Sequence, residues 1–434
     1  MDKCFPLRGF PLCLRGWLSV NLRAEVGRSR SFTFLRMLYG FLGPALMVSV
    51  AYMDPGNYGT DLQAGSAYGY RLAWAVWLAS IMAIVLQYLS GKLGLASGSS
   101  LPELVARSIK RRSGVVGYWF ASEVAIAATD LAEYLGTVLA LNLLFGIPLI
   151  IASFIGAMDV LLIMSLSSRR FRTIEELFMI LVGVISLGFF YLALTTTPNF
   201  TQAVHFSVVP SLPGQGALFV VVGIVGATVM PHTLFVHSYL TKNKLGSLEP
   251  VDKRRILRLH FVENMLLLGL AATVNVAILV VSAASIYPNP NPTIQQSFQV
   301  FADRFGRAVA VVFALTLLAS GLSSSTTGTI AGQAVMEGML GVKVNPWVRR
   351  LVTRFINVFI TTIVLLLGLN PLGVLVYSQV ILSILIPLPL YPLLYYTARR
   401  KFMGEFVNRN YTTFAAILCA VVITAFNAYL ILGA

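Results

Sequence analysis

Long apolar runs, separated by short polar segments, follow one another along almost the whole chain. Each run is about 20 residues or longer, which is the length that an α-helix needs to cross a bilayer, and its patterning is helical, without the two-residue alternation of barrel strands. The pattern therefore predicts an all-α integral membrane protein with about eleven transmembrane helices. The predicted spans are residues 40–64, 72–96, 115–143, 148–167, 174–195, 214–241, 257–284, 308–336, 348–369, 372–396 and 411–432. A surface helix is expected at residues 291–305, before the eighth span.

Composition and charge agree with this class. The chain is 57% hydrophobic and 11% charged, whereas soluble domains are roughly 45–50% apolar and about 25% charged. Of its 32 lysines and arginines, all but Arg71, Arg304 and Arg307 fall on one side of the predicted spans. The positive-inside rule assigns that side to the cytoplasm. We therefore expect a multi-pass protein of the cell (inner) membrane, with a cytoplasmic N-terminus and an extracytoplasmic C-terminus, and the net charge of +15 requires no nucleic-acid partner.

The domain organisation is expected to be simple. Residues 1–35 are predicted to form a cytoplasmic N-terminal arm, and residues 36–434 the transmembrane domain. Arg8 and Arg15 interrupt the apolar stretch of the arm, so it is not a signal peptide. The arm is expected either to lie on the inner membrane surface or to be disordered, and the protein is expected to be a monomer.

Two of the apolar runs contain a polar, helix-breaking cluster near the middle. Asp54-Pro55-Gly56-Asn57 interrupts the first span, and residues 227–232, with Met230-Pro231-His232 at their core, interrupt the sixth. Proline removes a backbone donor and glycine relaxes the chain, so each span should unwind at mid-membrane and free carbonyl oxygens. In a soluble chain the first cluster would be an ordinary turn, but within hydrocarbon such polar groups are costly and indicate a functional site.

The positions of the two breaks predict the architecture. They fall in the first and sixth spans, so that each break lies in the first span of a group of five spans. Discontinuous helices at matching positions of two halves indicate an inverted five-plus-five repeat, with the substrate site near the bilayer midplane. We expect repeat one at about residues 40–195, repeat two at about 214–396, and an extra helix at about 411–432.

The residues at the breaks are suited to binding a cation. The candidate ligands are the carboxylate of Asp54, the amide oxygen of Asn57, the thioether of Met230 and the backbone carbonyls of Ala51 and Ala227, with His232 close by. A thioether attracts only the softer d-block ions, so this mixed oxygen and sulfur set should favour Mn²⁺ or Fe²⁺, with Co²⁺, Ni²⁺ or Cd²⁺ as further cargo. The ion is expected to be the substrate, and no resident cofactor is expected.

Acidic residues in the third span indicate a second function. Glu123, Asp130 and Glu133 are spaced so that they lie along one side of a helix, and three acids inside the bilayer are tolerated only if they face a wet or paired interior. Arg354, near the start of the ninth span, is a plausible partner, and Arg350 is the alternative. This set is interpreted either as a proton route or as a structural ion-pair network.

In these residues, the chain resembles the natural resistance-associated macrophage proteins, a family of proton-coupled importers of manganese and iron. The resemblance extends over about residues 36–400. It is carried by the two break motifs and by three further segments. These are Gln63-Ala64-Gly65, residues 325–333 with the following Met336-Glu337-Gly338, and Ser378-Gln379-Val380.

The resemblance implies the LeuT-like inverted five-plus-five fold, first known from bacterial amino-acid symporters. It also implies that Asp54, Asn57, Met230 and the carbonyls of Ala51 and Ala227 bind the metal, with Gln379 joining in an occluded state. Finally, it implies a proton pathway through Asp130, Glu133 and Arg354, with Asp54 and His232 at its head. Together with the residues themselves, it predicts import of divalent transition metals, coupled to protons, by alternating access.

Other functions were weighed against this one. A related branch that transports magnesium lacks the methionine, so the presence of Met230 disfavours magnesium or broad divalent-cation transport. A sodium-coupled symporter of organic solutes could share the fold, and Met230 also argues against it. An enzyme is not expected, because the chain has no His-Glu-x-x-His pair, no Gly-x-Ser-x-Gly elbow and no phosphate-binding loop.

Overall fold

The structure, a computed structural model, describes residues 48–49, 51–158, 171–242 and 253–433. Every regular element in these ranges is helical, in agreement with the predicted all-α class. The predicted N-terminal arm, residues 1–35, lies outside the described residues.

Seventeen α-helices and two short 3₁₀ helices make up the described part of the chain. The first half contains α1 (Pro55–Tyr68), a 3₁₀ helix (Gly69–Leu72), α2 (Ala73–Ser97), α3 (Leu101–Ser108), α4 (Arg112–Phe145), α5 (Leu149–Gly156), α6 (Phe171–Thr195) and α7 (Phe200–Val208). The second half contains α8 (Gln215–Val229), α9 (Pro231–Thr241), α10 (Lys253–Ser285), α11 (Ile294–Phe305), α12 (Arg307–Leu340), α13 (Pro346–Leu366), α14 (Pro371–Leu385), α15 (Pro387–Thr397), α16 (Arg400–Met403), a 3₁₀ helix (Gly404–Phe406) and α17 (Asn410–Gly433).

Seven helical stretches within the described residues are long and apolar enough to cross a membrane. They are Pro55–Ser97, Arg112–Phe145, Gln215–Thr241, Arg254–Ser285, Arg307–Leu340, Pro371–Thr397 and Asn410–Gly433. The first of them combines the end of the first predicted span with the whole second one. The helix Met179–Thr195 is a shorter apolar segment, and the predicted fourth span, 148–167, lies partly outside the described residues. The predicted helix at 291–305 is observed as α11. Because part of the predicted fourth span is not described, the total of eleven spans stays a prediction.

The tenth predicted span is not one straight helix. It consists of α14 and α15, joined at Ile386. Proline at position 387 cannot donate to the carbonyl of Ser383, and that oxygen instead accepts hydrogen bonds from the backbone N–H of Ile386 at 3.1 Å and from the Asn427 side chain of α17 at 2.7 Å. The sequence analysis missed this interruption, although Pro387 itself was the signal for it.

The two halves of the sixth span, α8 and α9, form the centre of the bundle. Almost every residue of this stretch is buried, and α8 and α9 pack against α2, α14 and α12, with α1 beside α8. The last helix, α17, lies at the periphery and exposes most of its surface. The discontinuous helices therefore lie where hydrocarbon and water are both excluded.

The helix α13 shows how charges are accommodated. Its arginines, Arg349, Arg350 and Arg354, point into the bundle and are buried, whereas Phe355 and Phe359 on its other side are about two-thirds exposed, at 69% and 67%. This is the arrangement expected of a membrane helix whose ionisable residues serve the interior. The charged side also explains why α13 is not among the seven apolar stretches.

Close approaches between helices depend on small residues, as is common in membranes. At Gly226 of α8, a β-carbon would overlap the backbone of α14 at the Gln379 carbonyl and the Ser383 amide. At Gly65 of α1, a β-carbon would overlap the Leu279 carbonyl of α10. The backbones themselves are in contact at these positions, so no side-chain rearrangement can make room.

We therefore expect Gly226→Ala to destabilise the protein by about 1–3 kcal/mol through overpacking. The matched control is Gly269→Ala on α10, because a β-carbon there would meet nothing within 4 Å. Unfolding of the two purified variants by titration with sodium dodecyl sulfate in mixed micelles measures the difference. Equal stability of the two variants would contradict the close contact of α8 with α14.

Candidate metal site

The first break is a helix start in the middle of the protein. Tyr52 and Met53 form a turn, Asp54 is extended with φ −82° and ψ 165°, and α1 begins at Pro55. Asp54 Oδ1 accepts a 2.7 Å hydrogen bond from the backbone N–H of Asn57, so Asp54 is the N-cap of α1. Asn57 lies in the first helical turn. The unwound part is therefore shifted toward the N-terminus of the predicted cluster, and the proline occupies the favoured first helical position.

The second break is a single residue. Helix α8 continues through Ala227 to Val229, Met230 adopts φ 43° and ψ 105°, and α9 begins at Pro231. The prediction that residues 227–232 unwind was too wide, because one residue in a left-handed conformation is enough to redirect the chain. Such a conformation costs on the order of 1–3 kcal/mol for a non-glycine residue and occurs preferentially at functional sites.

Both breaks free a carbonyl by the same mechanism. In a continuous helix the oxygen of Ala51 would accept from residue 55, and that of Ala227 from residue 231. Both of these residues are prolines, which have no N–H. The oxygens of the two alanines, which are buried, are therefore left without their helical donor.

The side chain of Asn57 connects the two breaks. Its amide nitrogen lies 2.9 Å from Asp54 Oδ1, 3.0 Å from the Ala227 oxygen and 3.2 Å from the Tyr52 oxygen. Its amide oxygen accepts a 2.9 Å hydrogen bond from the Thr228 hydroxyl. An amide group has two hydrogens, so three oxygens from two helices compete for two donors. This convergence brings Asp54 to the turn that precedes Met230.

Side chains of other helices also donate to the carbonyls of the first break. Asn275 of α10 donates to the Tyr52 oxygen at 3.1 Å, and Ser320 of α12 donates to the Met53 oxygen at 2.6 Å. At the second break, the hydroxyl of Thr233 donates to the Met230 oxygen at 2.9 Å. Among the carbonyls of the first break, that of Tyr52 bonds to both Asn57 and Asn275. The role of the Ala51 carbonyl as a ligand stays a prediction.

Gln379 lies beside the first break. A β-carbon on Gly56 would overlap the Gln379 side chain, with its amide oxygen at 2.8 Å. That amide nitrogen donates to the Ser378 hydroxyl at 3.0 Å, and the amide oxygen has no hydrogen-bond partner among the described residues. The same holds for Asp54 Oδ2. Both oxygens are buried, so both have capacity left to bind an additional group.

His232 links the breaks to α4. It is completely buried on the first turn of α9, and its Nδ1 lies 3.1 Å from the Thr129 hydroxyl. Thr129 precedes Asp130, so the histidine reaches α4 at the level of the acidic row.

Asp130 is held by two arginines, both of which are buried. Its Oδ1 lies 3.7 Å from Nη1 of Arg350 and also 3.7 Å from Nη1 of Arg354, and its Oδ2 accepts a 3.0 Å hydrogen bond from Asn357. The predicted partner Arg354 and its alternative Arg350 both lie at Asp130 Oδ1. Asp130 thus has two cations within reach.

The other two acids of α4 differ in their environment. Glu123 forms an ion pair with Arg349 at the edge of the bundle, where its side chain is 20% exposed. Glu133 is completely buried and has no hydrogen-bond partner among the described residues. It lies against Gly328 of α12, where a β-carbon would be 3.2 Å from Glu133 Oε2 and 3.8 Å from Asp130 Oδ1. Asp130 and Glu133 therefore share one groove, whereas Glu123 belongs to a separate pair.

Comparison with known proteins identifies the family of this chain. Residues 45–433 match the family model described as natural resistance-associated macrophage protein-like. The chain belongs to this family. It is 40% identical over 400 residues to the divalent metal cation transporter MntH of Deinococcus radiodurans, covering 92% of this chain and 90% of that protein. It is 36% identical over 407 residues to the divalent metal cation transporter MntH of Bacillus subtilis, covering 93% and 94%.

Solved structures of this family share the fold. A variant of the manganese transporter of Eremococcus coleocola superposes with a TM-score of 0.82 at 31% sequence identity, over 93% of this chain and 88% of that one. Its complex with an aromatic bis-isothiourea substituted compound gives the same TM-score at 30% identity. The predicted all-α membrane fold and the family resemblance are thereby confirmed.

Several residues that shape the site were missed by the sequence analysis. Thr228, Asn275 and Ser320 each donate to a group at the breaks, Arg349 neutralises Glu123, and Asn357 binds Asp130. Asn275 and Asn357 had a readable signal, because each is an amide within an apolar run. The hydroxyl residues had none, since serine and threonine are common in membrane helices and often bond to their own helix.

Because Asp130 lies close to two buried arginines, its substitution should lower the stability of the protein. Asp130→Asn leaves two buried guanidinium groups without their anion and should cost about 3–5 kcal/mol. Adding Arg354→Gln should recover part of that loss, because one uncompensated charge is removed. Unfolding of the single and double variants in mixed micelles, arranged as a double-mutant cycle, measures the coupling.

The exposed pair of Arg254 with Glu405, at 3.7 Å, is the control for this cycle. Arg254→Gln should change stability by less than about 1 kcal/mol, since solvent screens that pair. Strict additivity of Asp130→Asn with Arg354→Gln would contradict a shared buried ion cluster.

Proposed function

We propose that this protein is a secondary active importer of divalent transition metal ions, above all Mn²⁺ and Fe²⁺, with Cd²⁺, Co²⁺ and Ni²⁺ as possible further cargo. In this proposal import is coupled to protons and proceeds by alternating access in the cell (inner) membrane. The protein acts as a monomer, with its N-terminus in the cytoplasm and two inverted repeats of five helices. The relatives named as divalent metal cation and manganese transporters support this assignment.

One observation carries the proposal, the convergence of three oxygens on the amide nitrogen of Asn57. A cation at that point would interact with Asp54 and with the Ala227 carbonyl, and the adjacent Ala51 carbonyl and Met230 sulfur would complete the ligand set. For the amide oxygen of Asn57 to bind the ion, the amide has to turn by 180°. The hydroxyl of Thr228 permits this turn, because it can donate to the oxygen or accept from the nitrogen.

The choice among ions rests on the sulfur of Met230. Oxygen ligands alone suit Mg²⁺ and Ca²⁺, and a thioether adds affinity only for softer ions. Met230 is completely buried and held at the break by the left-handed backbone. Its side chain therefore starts from a defined backbone position at the second break. This supports transition-metal cargo over magnesium and over organic solutes.

The acidic row of α4 supports a proton route distinct from the metal site. His232, bonded to Thr129, connects the breaks with Asp130 and Glu133, and the arginines of α13 lie beyond them. Glu123, with Arg349, lies at the edge of the bundle and is proposed as its outlet. Protons and metal would thus both use Asp54 and then follow different routes. The divalent ion would then not pass the arginines of α13.

The contacts of α9 indicate how access would alternate. Its C-terminal end is tied to neighbouring helices by Tyr239, whose hydroxyl donates to Glu337 at 3.0 Å, by Thr241, which donates to the Gly91 carbonyl at 3.0 Å, and by Lys242. In the proposed mechanism these contacts close the cytoplasmic side and break when the protein opens inward. Entry of a divalent ion into a negative cell is favoured by about 4.6 kcal/mol per 100 mV, so import is downhill even without protons.

The first test is uptake by protein reconstituted in liposomes. Mn²⁺ uptake should be inhibited by Cd²⁺ and hardly by Ca²⁺, and Asp54→Asn should abolish it. Met230→Ala should reduce Cd²⁺ competition about tenfold while affecting Ca²⁺ little, because only the soft ligand is lost. Strong Ca²⁺ uptake by the unmodified protein would refute the role of the sulfur.

The second test separates protons from metal. Asp130→Asn should reduce metal-driven acidification of the liposome interior at least tenfold, while Mn²⁺ binding, measured by calorimetry, should change less than about threefold. Asp54→Asn is the comparison and should lose both. Equal loss of proton flux and Mn²⁺ binding in folded Asp130→Asn would argue against separate routes.

A further inference from the structure

A cavity lies far from the breaks, where α2, α3 and α16 meet. Its volume is about 380 Å³, and it is lined by Ser97, Ser99, Leu104, Arg107, Ser108, Lys401 and Phe402. The size falls within the usual range of small-molecule sites, roughly 300–1,000 Å³. The transport function proposed above uses none of these residues.

The charges of this cavity are all of one sign. Arg107 and Lys401 are the charged residues of its wall, and neither forms an ion pair with any residue that the structure describes. The acids closest in the chain have partners elsewhere, since Glu103 lies 2.5 Å from Lys242 and Glu405 pairs with Arg254. The cavity therefore presents two available cations together with the Ser99 hydroxyl, a donor set that can bind phosphate oxygens.

The walls are held in place by hydrogen bonds that are buried or partly buried. The hydroxyl of Ser97 accepts from the Ser99 backbone at 3.2 Å and donates to the Leu93 carbonyl at 2.7 Å, which shapes the turn after α2. On the opposite wall, the Tyr396 hydroxyl lies 3.0 Å from the Leu104 carbonyl oxygen and 2.7 Å from the Ser108 hydroxyl oxygen, within hydrogen-bond distance of both. The cavity is thus a formed feature of the fold.

Its position relative to the apolar stretches indicates the source of a ligand. Helix α2 ends at Ser97, α15 ends at Thr397 and α17 begins at Asn410, so the cavity lies where hydrocarbon gives way to headgroups. The guanidinium of Arg399 lies 3.8 Å from the ring centroid of Tyr395 nearby, and such aromatic and basic side chains are typical of the interface. Leu104 and Phe402 supply an apolar side suited to a glycerol or acyl segment.

We propose that this cavity binds a phosphate group, as a phosphate ester of an anionic lipid headgroup at the cytoplasmic surface. Arg107 and Lys401 contact the phosphate oxygens, and the Ser99 hydroxyl completes the donor set. The same chemistry would accept free phosphate, so the experiment distinguishes the two sources. The inference is independent of the cargo and the coupling proposed above.

The test uses the full chain in neutral detergent and measures binding of a fluorescent short-chain phosphatidylglycerol. Arg107→Gln combined with Lys401→Gln should weaken binding about 30-fold, since both charged contacts to the phosphate oxygens are lost. The matched control is Arg111→Gln with Arg400→Gln, which removes the same charge from residues that do not line the cavity and should change binding less than about threefold, because no direct contact with the phosphate is lost. The swap of Arg107→Lys with Lys401→Arg should retain binding, which excludes misfolding as the cause.

Inorganic phosphate forms the second arm. Failure of millimolar phosphate to displace the lipid, with lipid binding lost only in the cavity variant, identifies the headgroup as the ligand. Binding of phosphate itself with the same sensitivity to Arg107 and Lys401 identifies free phosphate as the source. Equal weakening in the cavity variant and the control, or no weakening in either, would overturn the proposal, because only diffuse surface charge would then be acting.

Discussion

A proline within a membrane helix deprives the residue four positions earlier of its hydrogen bond, and the bilayer offers no water to replace it. This constraint recurs through the bundle. Proline at position 387 frees the Ser383 oxygen, which is taken by Asn427. Pro392 within α15 frees the Leu388 oxygen, which accepts a 2.6 Å hydrogen bond from Tyr118. In each case a polar side chain from a neighbouring helix supplies the missing donor, and the two helices are joined by it.

The breaks in α1 and between α8 and α9 follow the same rule with a different outcome. Here the Ala227 oxygen does not receive a donor of its own, because the amide of Asn57 also serves Asp54 and Tyr52. The interruptions at Pro387 and Pro392 are thus joined to neighbouring helices by side-chain donors, whereas at the crossing of α1 with α8 two buried oxygens, Asp54 Oδ2 and Gln379 Oε1, have no hydrogen-bond partner among the described residues. In the proposed site a divalent cation would satisfy such oxygens, since it can coordinate several of them at once. These unsatisfied buried acceptors separate the crossing from a packing kink.

Much of this site was accessible from the sequence, for a physical reason. A polar motif with proline inside an apolar run violates the local rules of a membrane helix, and such violations mark functional positions. Asp54, Asn57 and Met230 could therefore be named directly. The extent of the second break could not, because it depends on the backbone conformation of Met230 alone. The donors supplied by other helices, such as Ser320, depend on helix positions that no local pattern contains.

The ion pairs of α13 show where sequence spacing reaches its limit. Arg349 and Arg350 are adjacent in the chain but serve different acids, Glu123 and Asp130, because successive residues of a helix point about 100° apart. Arg354 lies one turn beyond Arg350 and returns to Asp130. Only the rotation of the helix decides which arginine meets which acid. That rotation is set by the lipid-facing phenylalanines on its other side, so the hydrophobic pattern of α13 positions the charges of the interior.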